Sequence, residues 1–496
     1  MYPSWKSSVL AFHSVFALVA VTGLLPTARA QFAQQGGKLV GTGIVGVAGQ
    51  GESVALSADG NTAIVGGPND NNDAGAAWVY TRSGGVWSQQ GSKLVGTGVA
   101  LIVYQGASVA LSGDGNTAIV GGSDVQGAAW VYTRSDGAWS QQGSKLVGTG
   151  PVGLANQGHS VALSEDGNTA LVGGPADNGG AGAAWVYTRS GGVWSQQGGK
   201  LIGSGAVGSA EQGASVALSG DGNTAIVGGI DDNGDAGAVW VYTRSNGVWS
   251  QQGGKLVGAG AVQPSGIAAG TYGAFQGKSV ALSANGNTAM VGGYLDNSGD
   301  GAAWVYTRSG GVWSQQGGKL VGAGATGDGF GVSVALSGDG NTAVVGGFGD
   351  SSSLGAAWVY TFAHGVWSQL GGKLVGTGAV GLANQGTSVA LSGDGSAAII
   401  GGLLTTSTRE QRGCLCCLLP PPALPSPQAA WSAALASGLE PRRELGLPFR
   451  ARTYPPQRRH GAFRIFRGAI CPRSWAASAS PWTGRRLTSI SSAQDS

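Results

Sequence analysis

One sequence unit is repeated seven times in this chain of 496 residues. The copy at 106–122 reads GASVALSGDGNTAIVGG and continues at 127–148 as GAAWVYTRSDGAWSQQGSKLVG. The Asn of its GNTA motif, which is Ser in the seventh copy, recurs at spacings of 55, 52, 55, 64, 54 and 55 residues: Asn61, Asn116, Asn168, Asn223, Asn287, Asn341 and Ser396. Self-similarity at a fixed period indicates a repeat architecture, in which each unit buries its apolar surface against its neighbours.

Each unit predicts four short strands. SVALS and NTAIVGG are separated by Gly-Asp-Gly or a similar triplet, a strong hairpin signal between apolar runs. A loop rich in Asp, Asn and Gly leads to AAWVYTR, and a second tight turn leads to VWSQQGGKLVG. Four-stranded units of this length are typical of propeller blades, which stack face to face and bury both sides of a strand. The sequence therefore predicts an all-β fold, a seven-bladed β-propeller of four-stranded antiparallel blades.

Tryptophans nine residues apart recur in six units, as in Trp240 and Trp249. If Asn246-Gly247 is a two-residue turn, Arg244 lies opposite Trp249, and a cation–π contact between them is worth roughly 0.5–1 kcal/mol at an exposed site. A sugar-stacking surface would require exposed rings. Because the pairs recur in unit after unit, we expect packing between blades instead.

The first 30 residues predict a secretory signal peptide. An apolar run extends from Val9 to Leu25 and is followed by Ala28-Arg29-Ala30, a small-residue processing site. No other stretch of the sequence is long and apolar enough to span a bilayer. We therefore expect a secreted or cell-surface/periplasmic protein with no membrane span after signal removal.

Residues 31–404 form the repeat body, and its two ends complement each other. The segment 31–43, QFAQQGGKLVGTG, matches the fourth strand of a unit with Phe32 in the Trp position, whereas the seventh copy loses the pattern after 402. We expect the N-terminal strand to complete the last blade and close the ring, with Phe32, Leu39 and Val40 buried. The third strand of that blade stays open, and residues 403–419 could fill part of it with Leu415, Leu418 and Leu419.

Residues 405–496 differ in composition from the repeat body. They hold all four Cys, eleven of the seventeen Pro, thirteen Arg and no Lys, and carry a net charge of +9, whereas the body has no Cys and a net charge of −8. The spacing of Cys414, Cys416 and Cys417 is poor for zinc. One interpretation is a basic anchor for an anionic surface. The other is a shifted reading frame, since Gly413-Cys414-Leu415 stands where Gly-Ala-Ala-Trp is expected. In either case we expect this tail to be largely disordered.

The body resembles the FG-GAP repeats of the integrin α-chain propeller and their bacterial secreted relatives. The match is Gly-x-Ser-Val-Ala-Leu-Ser, the Gly-Gly end of the second strand, and Gly-Ala-Ala-Trp-Val-Tyr; Phe330-Gly331 preserves the Phe-Gly itself. This resemblance implies a seven-bladed propeller that serves as a binding module. A generic propeller with Ser-Pro-Asp-Gly hairpins is the alternative and has the same architecture.

The resemblance raises the question of calcium. Family members often carry an Asp-rich calcium loop in the first hairpin, but here that turn is too short to wrap a cation. The loops after the second strand hold oxygen ligands at alternate positions, which suit calcium, yet the closing Glu of an EF-hand is absent. The metal candidates are Asp231, Asn233, Asp235, Asp296 and Asp300. Because Asp and Asn in turns usually serve backbone geometry, we expect a calcium-independent fold without a cofactor.

The remaining polar residues suggest little catalytic chemistry. His159, His364 and His460 do not recur and have no triad-like neighbours. His159 occupies a position that other copies fill with Ala, Lys, Thr or Glu, which indicates a tolerated variable site. The recurrent Lys of GGKLVG is interpreted as an edge-strand charge that blocks sheet-to-sheet association, or alternatively as a ring that binds anions.

Two function classes remain. The first is a non-catalytic interaction or adhesion module, a monomer that binds extracellular protein or glycan through loops on a propeller face. The second is a secreted propeller enzyme, a hydrolase or lyase, with a site near the central channel. Enzymes on symmetric scaffolds break the symmetry with loops that carry acids or His, and the largest break here, 261–280, has neither; we therefore favour the first class. That break offers Tyr272 and Phe275 as ligand-binding candidates. An acidic body argues against nucleic acid as a partner.

Overall fold

The computed structural model describes residues 32–98, 102–124, 126–261, 273–379, 381–403 and 414–419, the last of these for backbone only. The predicted signal peptide, Tyr272, His460 and all of the tail except 414–419 lie outside the described residues.

Alternating apolar strands and Gly-rich turns fold the described repeats into six antiparallel blades, each made of four consecutive strands. Strand β1 (Ala33–Gln34) precedes them. Blade 1 contains β2 to β5 and blade 2 contains β6 to β9: Ser53–Leu56, Thr62–Gly67, Ala76–Ser83, Val86–Gln89, then Gln105–Leu111, Thr117–Gly122, Ala128–Ser135, Ala138–Gln141. Blade 3 contains β10 to β13 and blade 4 contains β14 to β17: Ser160–Leu163, Thr169–Gly174, Ala183–Ser190, Val193–Gln196, then Gln212–Leu218, Thr224–Gly229, Ala238–Ser245, Val248–Gln251. Blade 5 contains β18 to β21 and blade 6 contains β22 to β25: Ser279–Leu282, Thr288–Gly293, Ala302–Ser309, Val312–Gln315, then Phe330–Leu336, Thr342–Gly347, Ala356–Ala363, Val366–Gln369.

One further four-stranded sheet combines strands from both ends of the described chain, in the order β1-β28-β27-β26. Its new strands are β26 (Ser388–Leu391), β27 (Ala398–Gly402) and β28 (Cys414–Leu419). Ala33 lies opposite Leu419, so the N-terminal strand does occupy the fourth position. β28 fills the third position by pairing with β27, and the sheet therefore extends beyond the expected boundary at 404. The expected β-propeller of four-stranded antiparallel blades is confirmed, but only six blades follow the repeat plan and the combined sheet departs from it.

The first hairpin turns are joined by a closed cycle of backbone hydrogen bonds. Within the described residues, each N–H at this turn position donates to the carbonyl of the next turn at 2.8–2.9 Å, in the order Ala58, Gly113, Glu165, Gly220, Ala284, Gly338, Gly393 and back to Ala58. The last step, from Gly393 to Ala58, joins the combined sheet to blade 1. The first strands therefore surround a common axis, and this end of the axis is lined by one Leu from each sheet: Leu56, Leu111, Leu163, Leu218, Leu282, Leu336 and Leu391.

The core lies between the blades, as expected for stacked sheets. Six tryptophans on the third strands are at most 1% exposed: Trp78, Trp130, Trp185, Trp240, Trp304 and Trp358. Their fourth-strand partners are half-buried, and Arg244 lies opposite Trp249 with its guanidinium 5.3 Å from the ring centroid. The predicted cation–π pair is confirmed and recurs in five blades. Of the three apolar side chains expected to be buried at the N-terminus, Phe32 is 8% exposed and Leu39 is half-buried, but Val40 is 41% exposed, so the prediction for Val40 is wrong.

Four short helical turns and one 3-10 turn follow the second strands. They are α1 (Asp70–Asp73), α2 (Asp177–Gly180), α3 (Asp232–Asp235), α4 (Asp350–Ser353) and the 3-10 turn Asp296–Gly299. Among the described residues, no helix is long and apolar enough to cross a membrane.

Candidate functional site

A buried aspartate begins each of these five turns, and the recurrent lysine binds it. Asp177 is fully buried and its Oδ2 lies 2.5 Å from Nζ of Lys200. Its Oδ1 accepts the N–H of Val152 at 2.8 Å, so one carboxylate ties the incoming and outgoing linkers of a blade together. The same ion pair recurs as Lys93–Asp70, Lys255–Asp232, Lys319–Asp296 and Lys373–Asp350. The interpretation of these lysines as free edge charges is wrong, because their ammonium groups neutralise buried carboxylates.

These ion pairs decide the role of some of the residues that were predicted as calcium ligands. Asp296 is the buried carboxylate of its loop and is already bound to Lys319. In the loop of blade 4 the buried position belongs to Asp232, one residue beyond the predicted Asp231, while Asn233 is exposed with φ +55°. Asp300 is exposed and accepts the side-chain amide of Asn297 at 2.7 Å. No group of three or more His, Cys, Asp or Glu side chains suited to a metal ion occurs among the described residues.

The repeat symmetry breaks at the other end of the axis, where the first strands begin. The residue between Gly and Ser of each GxSVAL motif is Glu52, Ala107, His159, Ala214, Lys278, Val332 or Thr387. Three of these seven are ionisable. Lys278 interacts electrostatically with Glu52 and His159, although these residues come from blades 5, 1 and 3. The three residues immediately precede first strands, which surround the common axis, so their charges act on one another across the ring.

Burial shifts the pKa values of these groups toward their neutral forms. It lowers the pKa of Lys278, against the opposing attraction of Glu211 and Glu52, and it raises the pKa of Glu52. Burial, with the nearby Lys278 charge, lowers the pKa of His159 to about 4. His159 is therefore neutral at pH 7, and the axis holds one lysine facing carboxylates on two other blades.

Two carboxylates of blade 4, Glu211 and Asp231, interact with each other, and Glu211 also interacts with this lysine. Burial raises the pKa of Glu211, and the negative charge of Asp231 raises it further. A side-chain hydrogen bond with Asp231 also raises the pKa of Glu211, and it opposes the rise that burial and the charge of Asp235 cause in the pKa of Asp231. Glu211 also has φ +54°, a left-handed conformation that Gly49 and Asn156 adopt at the equivalent positions. A glutamate in this conformation costs of order 1–3 kcal/mol, and such strain clusters at ligand sites.

A row of half-exposed aromatic rings lies beside the carboxylates. The ring centroids of Phe275 and Tyr294 are 5.7 Å apart, and those of Tyr294 and Phe348 are 6.5 Å apart. Nζ of Lys278 lies 5.9 Å from the Tyr294 centroid. Burial and the charges of Asp231 and Asp235 raise the pKa of Tyr294. We use the name axial cluster for these aromatic rings and the charged or polar side chains around them: Phe275, Tyr294, Phe348, Lys278, Glu52, His159, Glu211, Asp231 and Asp235.

Only part of the axial cluster was predicted. Phe275 was a ligand-binding candidate, and it lies here with φ +53°; Tyr272 lies outside the described residues. Asp231 and Asp235 were metal candidates, and they lie here beside Glu211. Lys278, Glu211, Tyr294 and Phe348 were missed. Their signal is that each stands at a position that varies among the repeats; Lys278 shares the position of His159, which is interpreted from the sequence as a tolerated variable site. His364 is an exposed residue at the turn between β24 and β25.

The axial cluster combines an apolar stacking wall with groups that donate and accept hydrogen bonds. Sites for small ligands typically pair such walls with a few convergent polar groups of perturbed pKa.

Comparison with known proteins identifies no family for this chain. No family model matches the chain, and no curated protein matches it. Among the solved structures that match is a crystal structure from Bacteroides uniformis described as a candidate 6-phosphogluconolactonase, with 14% identity and a TM-score of 0.46. The match covers 66% of this chain and 85% of that one.

Proposed function

We propose that this chain is a non-catalytic interaction module that binds a protein or glycan ligand at the axial cluster. In this proposal it is secreted or held at the cell surface or in the periplasm, as a monomeric seven-bladed propeller of the FG-GAP type whose seventh blade is the combined sheet. Nucleic acid is not the expected partner, since the repeat body carries a net charge of −8.

The observation that carries the proposal is that the axial cluster interrupts the repeat symmetry at one end of the propeller axis. The aromatic row Phe275, Tyr294 and Phe348 comes from blades 5 and 6 and adjoins charges from blades 1, 4 and 5. Blade 1 carries Gly49 and Pro68 at the positions of Phe275 and Tyr294, whereas blade 2 carries Tyr104 and Ser123. Folding alone does not require an aromatic side chain at both positions, because blade 1 folds the same backbone with neither.

The test is a screen of the mature protein against glycan and protein arrays, followed by titration of any hit. Phe275→Ala should weaken binding by about tenfold or more, because truncation of an anchoring hot-spot residue typically costs about 2 kcal/mol or more. Tyr104→Ala is the matched control, since Tyr104 is an aromatic residue at the equivalent position of blade 2 with φ +50°. Equal losses in the two variants, or binding that neither affects, would place the ligand elsewhere.

A propeller enzyme is the second candidate. It is favoured by the grouping of Glu52, Glu211, Lys278 and Tyr294, whose pKa values are all shifted, around one end of the axis. Turnover of any substrate that Glu211→Gln abolishes, with unchanged thermal melting, would support this alternative over the binding module.

A further inference from the structure

A buried glutamine clamps the linker that enters each blade, with one exception. In six units its Oε1 accepts the N–H of a linker glycine at 2.5–2.8 Å: Gly41–Gln50, Gly96–Gln105, Gly148–Gln157, Gly203–Gln212, Gly258–Gln276 and Gly376–Gln385. In blade 6 this residue is Phe330, which is 1% exposed and packs edge-on against Trp358 at 5.3 Å. The linker between blades 5 and 6 therefore lacks this clamp.

Two other departures occur at the same linker. From Lys319 to Phe330 it is one residue shorter than the corresponding linker from Lys200 to Gln212. The hydroxyl of Tyr360 donates to the carbonyl of Val321 at 2.7 Å. Among the described residues, the equivalent hydroxyls of four other blades are buried without a partner: Tyr132, Tyr187, Tyr242 and Tyr306. The shortened linker is thus fastened to Tyr360 in place of the glutamine.

A cavity of about 460 Å³ opens beside this linker. Its polar lining comes from Asp296, Asn297 and Asp300 on the loop of blade 5 and from Lys319 and Thr326 on the linker. The volume falls within the range of about 300–1,000 Å³ that is typical of ligand pockets.

The lining is nearly balanced in charge and rich in both donors and acceptors. Lys319 neutralises Asp296, so neither supplies a free charge for an ionic ligand. Asp300 accepts a hydrogen bond from Asn297, whose amide can also accept. The carboxylate of Asp300 lies outside the Lys319–Asp296 pair and opposes an anion, and no group of three or more His, Cys, Asp or Glu side chains suited to a metal ion occurs among the described residues. A neutral compound with several hydroxyl groups suits this set, because each hydroxyl both donates and accepts.

We propose that the cavity between blades 5 and 6 binds one neutral pyranose ring. This site is separate from the axial cluster, and the proposal does not depend on the function assigned to that cluster.

The test uses saturation-transfer NMR and calorimetric titration of the full chain with the methyl α-pyranosides of glucose, galactose and mannose. At least one glycoside should bind saturably. Val321→Trp places a large ring at the lip of the cavity, where Val321 is 55% exposed, and should abolish binding. Val257→Trp is the matched control, since Val257 is the equivalent residue, 49% exposed, of a linker that Gln276 clamps; it should leave binding unchanged.

Asp300→Ala provides a second variant, because Asp300 is exposed and its truncation should not unfold the protein. Loss of its acceptor should weaken glycoside binding by about tenfold. No saturable binding of the three glycosides, equal losses in the two Trp variants, or unchanged affinity in Asp300→Ala would overturn the proposal. Saturable binding of calcium chloride alone, lost in Asp300→Ala, would also overturn it in favour of a cation site.

Discussion

At the scale of single residues, the buried Asp–Lys pair is the main polar contact of the repeat. Each such aspartate is at most 1% exposed, whereas the lysine side chains are 14–23% exposed. Removing one partner of a buried pair leaves an uncompensated charge, which costs more than the intact pair contributes. The lysine is therefore required by the aspartate, whatever the net contribution of the pair.

Lys200→Ala should lower the free energy of unfolding by about 3–5 kcal/mol, because Asp177 would stay buried without its cation. The measurement is urea unfolding followed by Trp fluorescence. Lys145→Ala is the control, since Lys145 occupies the same motif position but is exposed; its effect should stay within about 0.5 kcal/mol. Similar losses in both variants would mean that the lysine stem, and not its charge, matters.

At the scale of elements, the shortest strand closes the combined sheet. β1 contains two residues and pairs with β28 through Ala33 and Gln34. Its neighbour Phe32 is 8% exposed and packs in the same core cluster as Val359 and Leu391. Gln34 Oε1 also accepts the N–H of Thr377 at 2.7 Å, as Gln89 does for Thr42 in blade 1. The N-terminal segment thus repeats the contacts of an ordinary fourth strand, here across a sequence separation of 343.

Deleting residues 31–43 should destabilise the whole propeller, since it exposes an apolar face and the edge of β28. Loss of the Phe32 side chain alone should cost about 3–5 kcal/mol, which is a large part of a typical stability of about 5–15 kcal/mol. Differential scanning calorimetry of the deletion and of Phe32→Ala measures this. Truncation after residue 419 is the control and should melt like the intact chain. An N-terminal deletion that also melts like the intact chain would contradict closure by β1.

At the scale of the whole molecule, contacts that run around the ring close it. The cycle of hydrogen bonds between hairpin turns returns from Gly393 to Ala58, and Ser388 Oγ donates to the carbonyl of Gly51 at 2.8 Å. The linkers are fixed at the other end by the buried aspartates and their lysines. The buried aspartates at the start of the turns after the second strands are therefore neutralised by lysine ammonium groups.

We predict that thermal melts with calcium and with chelator agree within error. The physical reason is that Lys319 already neutralises Asp296, and Lys255 already neutralises Asp232, in the two loops that hold the calcium candidates. The double variant Asp231→Ala/Asp300→Ala, at acids outside these pairs, controls for weak surface binding. A large upward shift with calcium that this variant removes would refute the prediction.

The features that depend on the repeat period and on local turn chemistry could be predicted from the sequence. Repeated Asp-Gly and Asn-Gly turns between apolar runs dictate the strands, their pairing within a blade and the Arg244–Trp249 contact, because these depend on residues close in the chain. The match of 31–43 to a fourth strand also identified how the N-terminus pairs. The lysine pairs were misinterpreted, since a sequence separation of 23 between Asp177 and Lys200 gives no local signal of contact.

Only the tertiary structure decided which side chains meet at the axis and between blades. Glu52, His159, Glu211 and Lys278 are spread over more than 220 residues, and each occupies a position that varies among the repeats. A closed ring brings equivalent positions of all its units to one axis, so single exceptions to the repeat accumulate there as an asymmetric cluster. The cavity beside Val321 is likewise lined by a loop of blade 5 and by the linker that follows that blade, two segments that meet only in the folded chain.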